Sequence, residues 1–126
     1  MKKIEDINKM KKLRMPYLNK VFIAGRLVKD SDYKNINENL EVCEFVIASN
    51  KWIKTSTGGK KENTLFIPVI CWSSMAQRAS KYKKGDEILI EGEIRCDSWV
   101  TPNNEKRKRI YISPDRLQKL TLDVEE

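Results

Sequence analysis

The sequence predicts an all-β fold, a five-stranded barrel with one short α-helix between the third and fourth predicted strands. Its length of 126 residues is about that of one ordinary domain. Five short runs alternate apolar and polar residues, as half-buried strands do, and only one segment shows helical spacing. We therefore expect a single globular domain with loose ends.

The N-terminal residues differ in composition from the β-rich runs that follow them. Residues 1–17 contain six Lys or Arg and two Asp or Glu, a net local charge of +4. Apolar residues at every third position favour a short helix, and a flexible arm is the alternative. We predict a basic arm over residues 1–17, a barrel over 18–120 and a short acidic end over 121–126.

The first predicted strand spans residues 19–29 and carries Val21 and Ile23 on one face. Gly25 lies inside this run and indicates a bulge or a sharp bend. The polar residues 30–40 predict a loop, so a long connection should separate the first two strands.

The second and third predicted strands, residues 41–52 and 63–72, combine an apolar row with outward-facing aromatic residues. The apolar rows consist of Cys43, Phe45, Ile47, Leu65, Ile67, Val69 and Cys71. Trp52 has the opposite parity to the first row. Phe66 and Trp72 share the other face of the third strand, about 20 Å apart. Three aromatic rings should therefore lie outside the core.

Two glycine signals mark turns in the middle of the chain. The pair Gly58-Gly59 predicts a hairpin between the second and third strands. The pair Lys84-Gly85 ends the one convincing helix, residues 73–83, which begins with a serine N-cap at its first or second residue. The helix therefore connects the third strand to the fourth.

The last two predicted strands span residues 86–97 and 109–120, on either side of a polar loop at 101–109. The inward residues of the fourth strand are Ile88, Ile90 and Ile94. Gly92 indicates tight curvature, and Pro114 makes the last strand an edge strand or a bent one. Five strands in this order with one helix are the layout of the OB-fold, a five-stranded Greek-key barrel.

Composition narrows the classes of function. The net charge of +7 favours a polyanionic partner, either nucleic acid or an anionic membrane surface, and charge alone does not choose between them. No apolar run approaches the ~18 residues of a membrane span and no signal-peptide core is present, so we expect a cytoplasmic protein. The apolar stripe of residues 1–17 is short and lacks Trp or Phe, so we expect no membrane partner. The chain has no histidine, which excludes Ser-His, Cys-His and His-metal sites. We predict neither an enzyme nor a cofactor.

Cysteines and carboxylates offer only weak metal sites. Cys43, Cys71 and Cys96 are far apart within apolar stretches and are predicted to be reduced packing residues. A zinc site would need all three, from separate strands, and an additional donor. A metal-dependent nuclease would use the carboxylates Asp30, Asp32, Glu91 and Glu93. Nothing positions a nucleophile near them, so no metal site is predicted.

Four large aromatic residues carry the functional prediction: Trp52, Phe66, Trp72 and Trp99. A single tryptophan is more often packed in the core than exposed. Here the core rows are already filled by aliphatic residues, Phe45 and cysteines, which leaves the rings on the opposite face. An exposed aromatic row lowers solubility unless something stacks on it.

Cations are interleaved with these rings. They are Lys51, Lys54, Lys60, Lys61, Arg95, Lys106, Arg107, Lys108 and Arg109. Bases stack on exposed rings for roughly 1 to 3 kcal/mol each while cations neutralise phosphates, so we predict single-strand binding with weak sequence preference and strong salt dependence. The alternative is an OB-fold accessory protein of a replication-restart or DNA-uptake assembly that acts mainly through protein contacts.

Several stretches together resemble the bacterial single-stranded DNA-binding protein (SSB) family over about residues 18–120. They are LNKVFIAGRLVKD, SNKW, LFIPVICW, MAQRASKYKKGD and IEGEIRCDSW. The resemblance implies an OB-fold that protects single-stranded DNA in replication, recombination or repair, with stacking roles for the four aromatic residues. It also implies a nucleoid-associated homotetramer, with a dimer as the alternative, and no catalytic residue or metal.

Both ends depart from typical family members. Those members continue into a long Gly, Pro or Gln-rich tail whose acidic tip ends in Pro-Phe and recruits partner enzymes, whereas this sequence ends in LTLDVEE. We therefore expect no tail-mediated recruitment by this sequence, which is similar to shorter paralogues and phage or plasmid versions, or is a truncated form of a longer protein. Family members also start close to the first strand, which makes Met15 a candidate start. An intact Met1 or Lys2 terminus in mass spectrometry of the native protein would contradict this hypothesis.

Overall fold

The computed structural model describes residues 15–122 as six strands and one helix. These are β1 (Val21–Leu27), β2 (Asp32–Asn37), β3 (Leu40–Lys54), β4 (Lys60–Trp72), α1 (Ser74–Ala79), β5 (Glu87–Val100) and β6 (Lys106–Lys119). The sheet order is β1-β5-β6-β4-β3-β2, and an additional β1–β3 pairing closes five of the strands into a barrel. The predicted five-stranded barrel, with its helix between the third and fourth barrel strands, is confirmed.

The segment 30–40 contains a strand where the sequence predicted a loop. β2 pairs antiparallel with β3 along the edge of the sheet. All six of its side chains are exposed, because β2 lies outside the barrel and covers no core. Without a buried face, the strand has no apolar alternation from which to predict it.

Side chains from all five barrel strands fill the interior. The largest of them are Leu27, Phe45, Ile47, Val69, Ile88, Ile90, Ile112 and Leu117. α1 adds Ala76 and Ala79, and the Tyr82 ring packs edge-on against Phe45 with 5.6 Å between the ring centroids. Most of the apolar rows predicted for β3, β4 and β5 therefore form the core.

The helix is shorter than the predicted 73–83. Ser73 occupies the N-cap with a φ of 56° and makes no side-chain capping bond. After Ala79 the chain turns, and the backbone N–H of Tyr82 donates to the Ala79 carbonyl. This turn brings the buried Tyr82 into the core, and Gly85, with a φ of +91°, leads into β5.

β3–β4 and β5–β6 are long two-stranded ribbons, named here the β3–β4 ribbon and the β5–β6 ribbon, each of which begins in the barrel wall and extends beyond it. Pairing continues to turns at residues 55–59 and 101–105. Leu65 and Ile94, both predicted inside the core, are 52% and 47% exposed. That prediction was wrong because alternation identifies the face of a residue, whereas burial requires another element over that face.

Two strands bend where backbones approach closely. A Cβ on Gly25 would lie 2.8 Å from the Ala48 carbonyl oxygen, where β1 reaches β3. A Cβ on Gly92 would overlap the Ser113 carbonyl oxygen and lie 2.8 Å from the Pro114 Cα. The β5–β6 register shifts at this point. β6 is therefore the bent strand of the two predicted alternatives, and it lies between β5 and β4 instead of at an edge.

Candidate nucleic-acid interface

The outer face of the β3–β4 ribbon carries three of the four predicted aromatic residues. Trp52 and Phe66 are each 63% exposed, and Trp72 is 44% exposed. In the antiparallel register, Ala48 faces Phe66 and Val42 faces Trp72, so these positions share one side of the ribbon. The buried row of β3 and β4 lies on the other side. The three rings therefore form an exposed row that runs along the ribbon.

Trp99 belongs to the same face, although it lies on the other ribbon. It is 47% exposed and has the parity of Asp97, the cross-strand partner of Arg109. The Arg109 guanidinium donates two hydrogen bonds, of 3.1 and 2.9 Å, to the carboxylate of Glu44 on the outer side of β3. This pair joins the outer sides of the two ribbons, and all four rings have the parity of this outer side, which is named here the aromatic face.

The predicted cations divide between the two sides of the ribbons. Residues 106–109, predicted as part of a loop, belong to β6, so their side chains alternate. On the aromatic face are Lys54, Lys60, Arg95, Arg107 and Arg109. On the opposite side are Lys51, Lys61, Lys106 and Lys108. The structure therefore brings only part of the predicted set to the side of the rings.

The arginines and lysines of this set also differ in their partners. Arg95 lies 2.7 Å from a Glu93 oxygen, Arg107 lies 2.6 Å from Glu105, and Arg109 lies 2.9 Å from Glu44. None of the six predicted lysines forms an ion pair within residues 15–122. The lysines are therefore the cations most accessible to an incoming phosphate.

Two residues with outward parity, close to Glu44 and Arg109 in the strand register, are buried. Ile70 and Tyr111 have the outer parity but are only 6% and 7% exposed. Tyr111 donates a 3.3 Å hydrogen bond from its hydroxyl to Asp97, and burial raises the pKa of Tyr111. Sequence reasoning missed the burial of Ile70 and Tyr111, because their burial depends on which strands become neighbours.

Charge pairing keeps Glu44 and Arg109 ionised at neutral pH. The hydrogen bonds from Arg109 hold the pKa of Glu44 below its ordinary value, and nearby Lys34 and Lys29 act in the same direction. The same bonds raise the pKa of Arg109. Sequence reasoning also assigned no role to Glu44, because a single acidic residue on the outer side of a strand does not indicate its partner.

The cysteines are separated in the structure. Cys43 and Cys71 are buried cross-strand partners, whereas Cys96 is exposed on β5. Burial raises the pKa of Cys71 to about 12 and also raises that of Cys43, so both thiols stay protonated. No group of three His, Cys, Asp or Glu in the described part of the chain is arranged to hold a metal ion.

All four carboxylates considered for a nuclease engage protein groups, and Asp32 lies 3.7 Å from the Lys34 amine. Asp30 accepts a hydrogen bond from the Lys84 backbone, and Glu91 lies 2.7 Å from the Lys20 amine. Glu93 accepts hydrogen bonds from the Tyr17 hydroxyl and from Arg95.

Among residues 15–122, no helix is long and apolar enough to cross a membrane.

The fold and the aromatic face define the class, an OB-fold protein with exposed rings beside cations. The model of the Single-strand binding protein family matches residues 18–120. The chain belongs to the single-strand binding protein family. The alternative of an accessory protein that acts mainly through protein contacts gains no support from this match.

Curated relatives with similar sequences are named single-stranded DNA-binding proteins. Identity is 30% over 118 residues with the protein from Thermus aquaticus, covering 94% of this chain and 43% of the relative. It is 30% over 103 residues with that from Wolinella succinogenes, and 33% over 103 residues with that from Helicobacter hepaticus. Each of these two matches covers 81% of this chain; they cover 64% of the Wolinella succinogenes protein and 61% of the Helicobacter hepaticus protein. The chain thus spans about half the length of these relatives.

Solved structures share the fold at lower sequence identity. The SSB of Plasmodium falciparum, solved in complex with ssDNA, superposes with a TM-score of 0.78 and 22% identity. That match covers 86% of this chain and all of the other. A deletion mutant of the Thermus aquaticus protein gives a TM-score of 0.73 and 20% identity, covering 82% of this chain and 51% of the other. These likenesses show the OB-fold.

Proposed function

We propose that this chain binds single-stranded DNA independently of sequence by stacking bases on the aromatic face. The observation that carries the proposal is the exposure of four large rings, 44 to 63%, on the aromatic face. Exposed aromatic area of this size lacks a partner within the described chain. The names of the relatives, and the ssDNA bound by the Plasmodium falciparum protein, support this choice of ligand.

Stacking and charge have separate tasks in this mechanism. Each base that stacks on a ring contributes roughly 1 to 3 kcal/mol, and every base offers a π-face, so sequence matters little. Phe66 and Trp72 stand about 20 Å apart along β4. A DNA strand that stacks on both rings therefore has several nucleotides between the two stacked bases. Lys54 and Lys60, unpaired within residues 15–122 and on the same side, neutralise phosphates. Duplex DNA binds more weakly because its bases already stack on one another.

The biological role follows from this mode of binding. We propose that the protein protects single strands in replication, recombination or repair, by binding and without catalysis or a cofactor. Such strands arise on the chromosome, so a cytoplasmic, nucleoid-associated location is expected. The domain limits of 18–120 with terminal segments 1–17 and 121–126 stay predictions, and residues 1–14 and 123–126 lie outside the described part.

We propose a homotetramer, with a dimer as the alternative. Phe22 on β1 is 67% exposed, and Leu89 on β5, diagonal to it, is 37% exposed. Such an apolar patch on an outer sheet face is suited to contact with a second copy. Several copies on one strand raise the overall affinity through effective concentration, without any new contact to the bases.

The deciding experiment is a titration with poly(dT) that follows tryptophan fluorescence at several salt concentrations. Stacking on Trp52, Trp72 and Trp99 should quench the emission strongly, and added salt should weaken binding steeply. A duplex of equal length is the control. Absence of quenching, or equal affinity for duplex, would overturn the proposal.

A further inference from the structure

The Glu44–Arg109 pair spans a whole strand. Glu44 lies on β3 and Arg109 on β6, and β4 runs between them. Neighbouring strands are about 4.8 Å apart, so these two strands are separated by about 10 Å. The cross-strand partner of Glu44 on β4 is Ile70. Ile70, beside Glu44 on the outer face of the sheet, is only 6% exposed.

Direct backbone pairing joins the two ribbons at only one position. β4 and β6 share a single ladder pair, Val69 with Ile112, whereas β3 and β4 share 13 pairs and β5 and β6 share another 13. β1, which pairs with both β3 and β5, also joins the two ribbons inside the barrel, whereas no ladder pair joins their far ends, residues 50–64 and 97–109. Side chains that reach from ribbon to ribbon must supply the remaining connections.

The bidentate geometry suits this task. Two hydrogen bonds from one planar guanidinium to one carboxylate fix an angle as well as a distance, which a single Lys contact does not. Asp97, directly across from Arg109, accepts the Tyr111 hydroxyl and continues the polar contacts into β5. Trp99 follows Asp97 by two residues on the same face. The pair is thus connected to both aromatic-bearing ribbons.

We propose that Glu44 and Arg109 are positioning residues that hold Trp99 in line with Trp52, Phe66 and Trp72. In this role Arg109 acts through the Glu44 carboxylate and does not bind phosphate. The inference rests on the proposed function and adds to it a device that arranges the rings before DNA arrives. Prearrangement raises affinity because less ordering remains for the binding step.

The competing explanation predicts the opposite sign. If Arg109 bound phosphate and Glu44 merely competed for it, Glu44→Gln would release the cation, tighten binding and steepen the salt dependence. Under positioning, Glu44→Gln loosens the ribbons and weakens binding by about 1.5- to 5-fold, the scale of a surface ion pair. One substitution therefore separates the two roles.

Oligonucleotide length supplies a readout that a purely structural role would not move. A short oligonucleotide that occupies only one ribbon should bind Glu44→Gln and the wild type equally, because the ribbon itself is intact. An oligonucleotide long enough to engage both ribbons should show the full loss. An equal loss at both lengths would point to general unfolding and overturn the inference.

Rescue and a matched control complete the test. The charge-swapped double variant Glu44→Arg with Arg109→Glu should bind long strands more tightly than either of its single variants. Arg109→Lys, which keeps the charge but not the bidentate geometry, should bind long strands more weakly than the double variant. Glu105→Gln, which frees Arg107 within the β5–β6 ribbon, should cause no loss. If the wild type binds no single strand, the proposed function fails. If it binds with quenching and Glu44→Gln is neutral or tighter, only this inference fails.

Discussion

At the scale of single residues, solvent exposure distinguishes two kinds of aromatic side chain. Phe45 is 2% exposed and packs against Tyr82, whereas Phe66 is 63% exposed and lies on the aromatic face. Both residues alternate with polar or aliphatic neighbours on a strand. The difference is which side of the barrel wall they occupy, so replacing them should affect different properties, namely stability for Phe45 and binding for Phe66.

Phe66→Ala should weaken binding to poly(dT) without unfolding the barrel. Loss of one stacked base is expected to cost about 1 to 3 kcal/mol, or roughly 5- to 150-fold in affinity. Leu65→Ala is the matched control, since Leu65 is the adjacent residue on β4, 52% exposed, but points to the opposite side. Titrations and thermal unfolding check both variants. Equal losses of affinity would remove the distinction between the two sides.

Lys54 and Lys60 should set part of the salt dependence of binding. They are cross-strand partners on the aromatic face. Each phosphate contact on a single strand contributes about 0.7 to the slope of log affinity against log salt, so Lys54→Gln with Lys60→Gln should lower the slope by about 1.4. Lys51→Gln with Lys61→Gln removes the same charge from the opposite side and should change the slope less. Identical slopes would show that the side of the ribbon is irrelevant.

At the scale of elements, the close approach of β5 and β6 at their register shift limits which residues fit there. Gly92 faces Pro114 where the β5–β6 register shifts, and the Ser113 carbonyl occupies the space of a side chain. Because the obstructing atoms are backbone, they cannot rotate away. This position on β5 therefore requires a residue without a Cβ.

Gly92→Ala should destabilise the protein by about 2 to 4 kcal/mol, because the added methyl group forces the two backbones apart. Gly59→Ala is the control, since its Cβ would lie 3.3 Å from the Thr55 hydroxyl in an exposed turn. Urea denaturation measures both. A Gly92→Ala midpoint equal to that of Gly59→Ala would mean that β5 and β6 separate easily at this point.

At the scale of the whole molecule, charge pairing on the aromatic face connects pH to stability. Glu44 ordinarily titrates near 4.5, and its partner Arg109 lowers this pKa in the folded state. Between the folded and unfolded pKa values the unfolded chain binds more protons. Stability from this group is therefore fully present above the unfolded pKa and is lost as pH falls through the folded pKa.

The free energy of unfolding should accordingly fall more steeply below about pH 4.5 in the wild type than in Glu44→Gln, which has no carboxyl to protonate. Urea denaturation at pH 7, 5, 4 and 3 gives the comparison. Glu93, whose pKa is lowered by its hydrogen bonds from Tyr17 and Arg95, contributes in the same direction in both proteins. Parallel curves would show that the Glu44 pair adds no acid-sensitive stability.

The proposed assembly of copies is also a property of the whole molecule. Phe22→Asp places a charge in the exposed apolar patch of β1 and β5 and should lower the mass measured by analytical ultracentrifugation from that of a tetramer. Ile36→Asp, on the exposed edge strand β2, is the control and should leave the mass unchanged. A monomeric wild type, or a Phe22→Asp variant of unchanged mass, would refute this interface.

By itself the sequence determined the barrel, the position of the helix and the side of the strand on which Trp52, Phe66 and Trp72 lie. These features depend on local alternation and on turn residues, which neighbours along the chain already express. The barrel core followed for the same reason at Phe45 and Ile47. Family membership was likewise carried by short stretches of the chain.

Only the tertiary structure decided what covers each face. It made residues 30–40 partly a strand, exposed Leu65 and Ile94, and divided the cations between two sides of the ribbons. It also brought Glu44 to Arg109, which are 65 residues apart in the chain. The physical reason is that burial and ion pairing depend on which strands become neighbours, and strand alternation carries no information about distant partners.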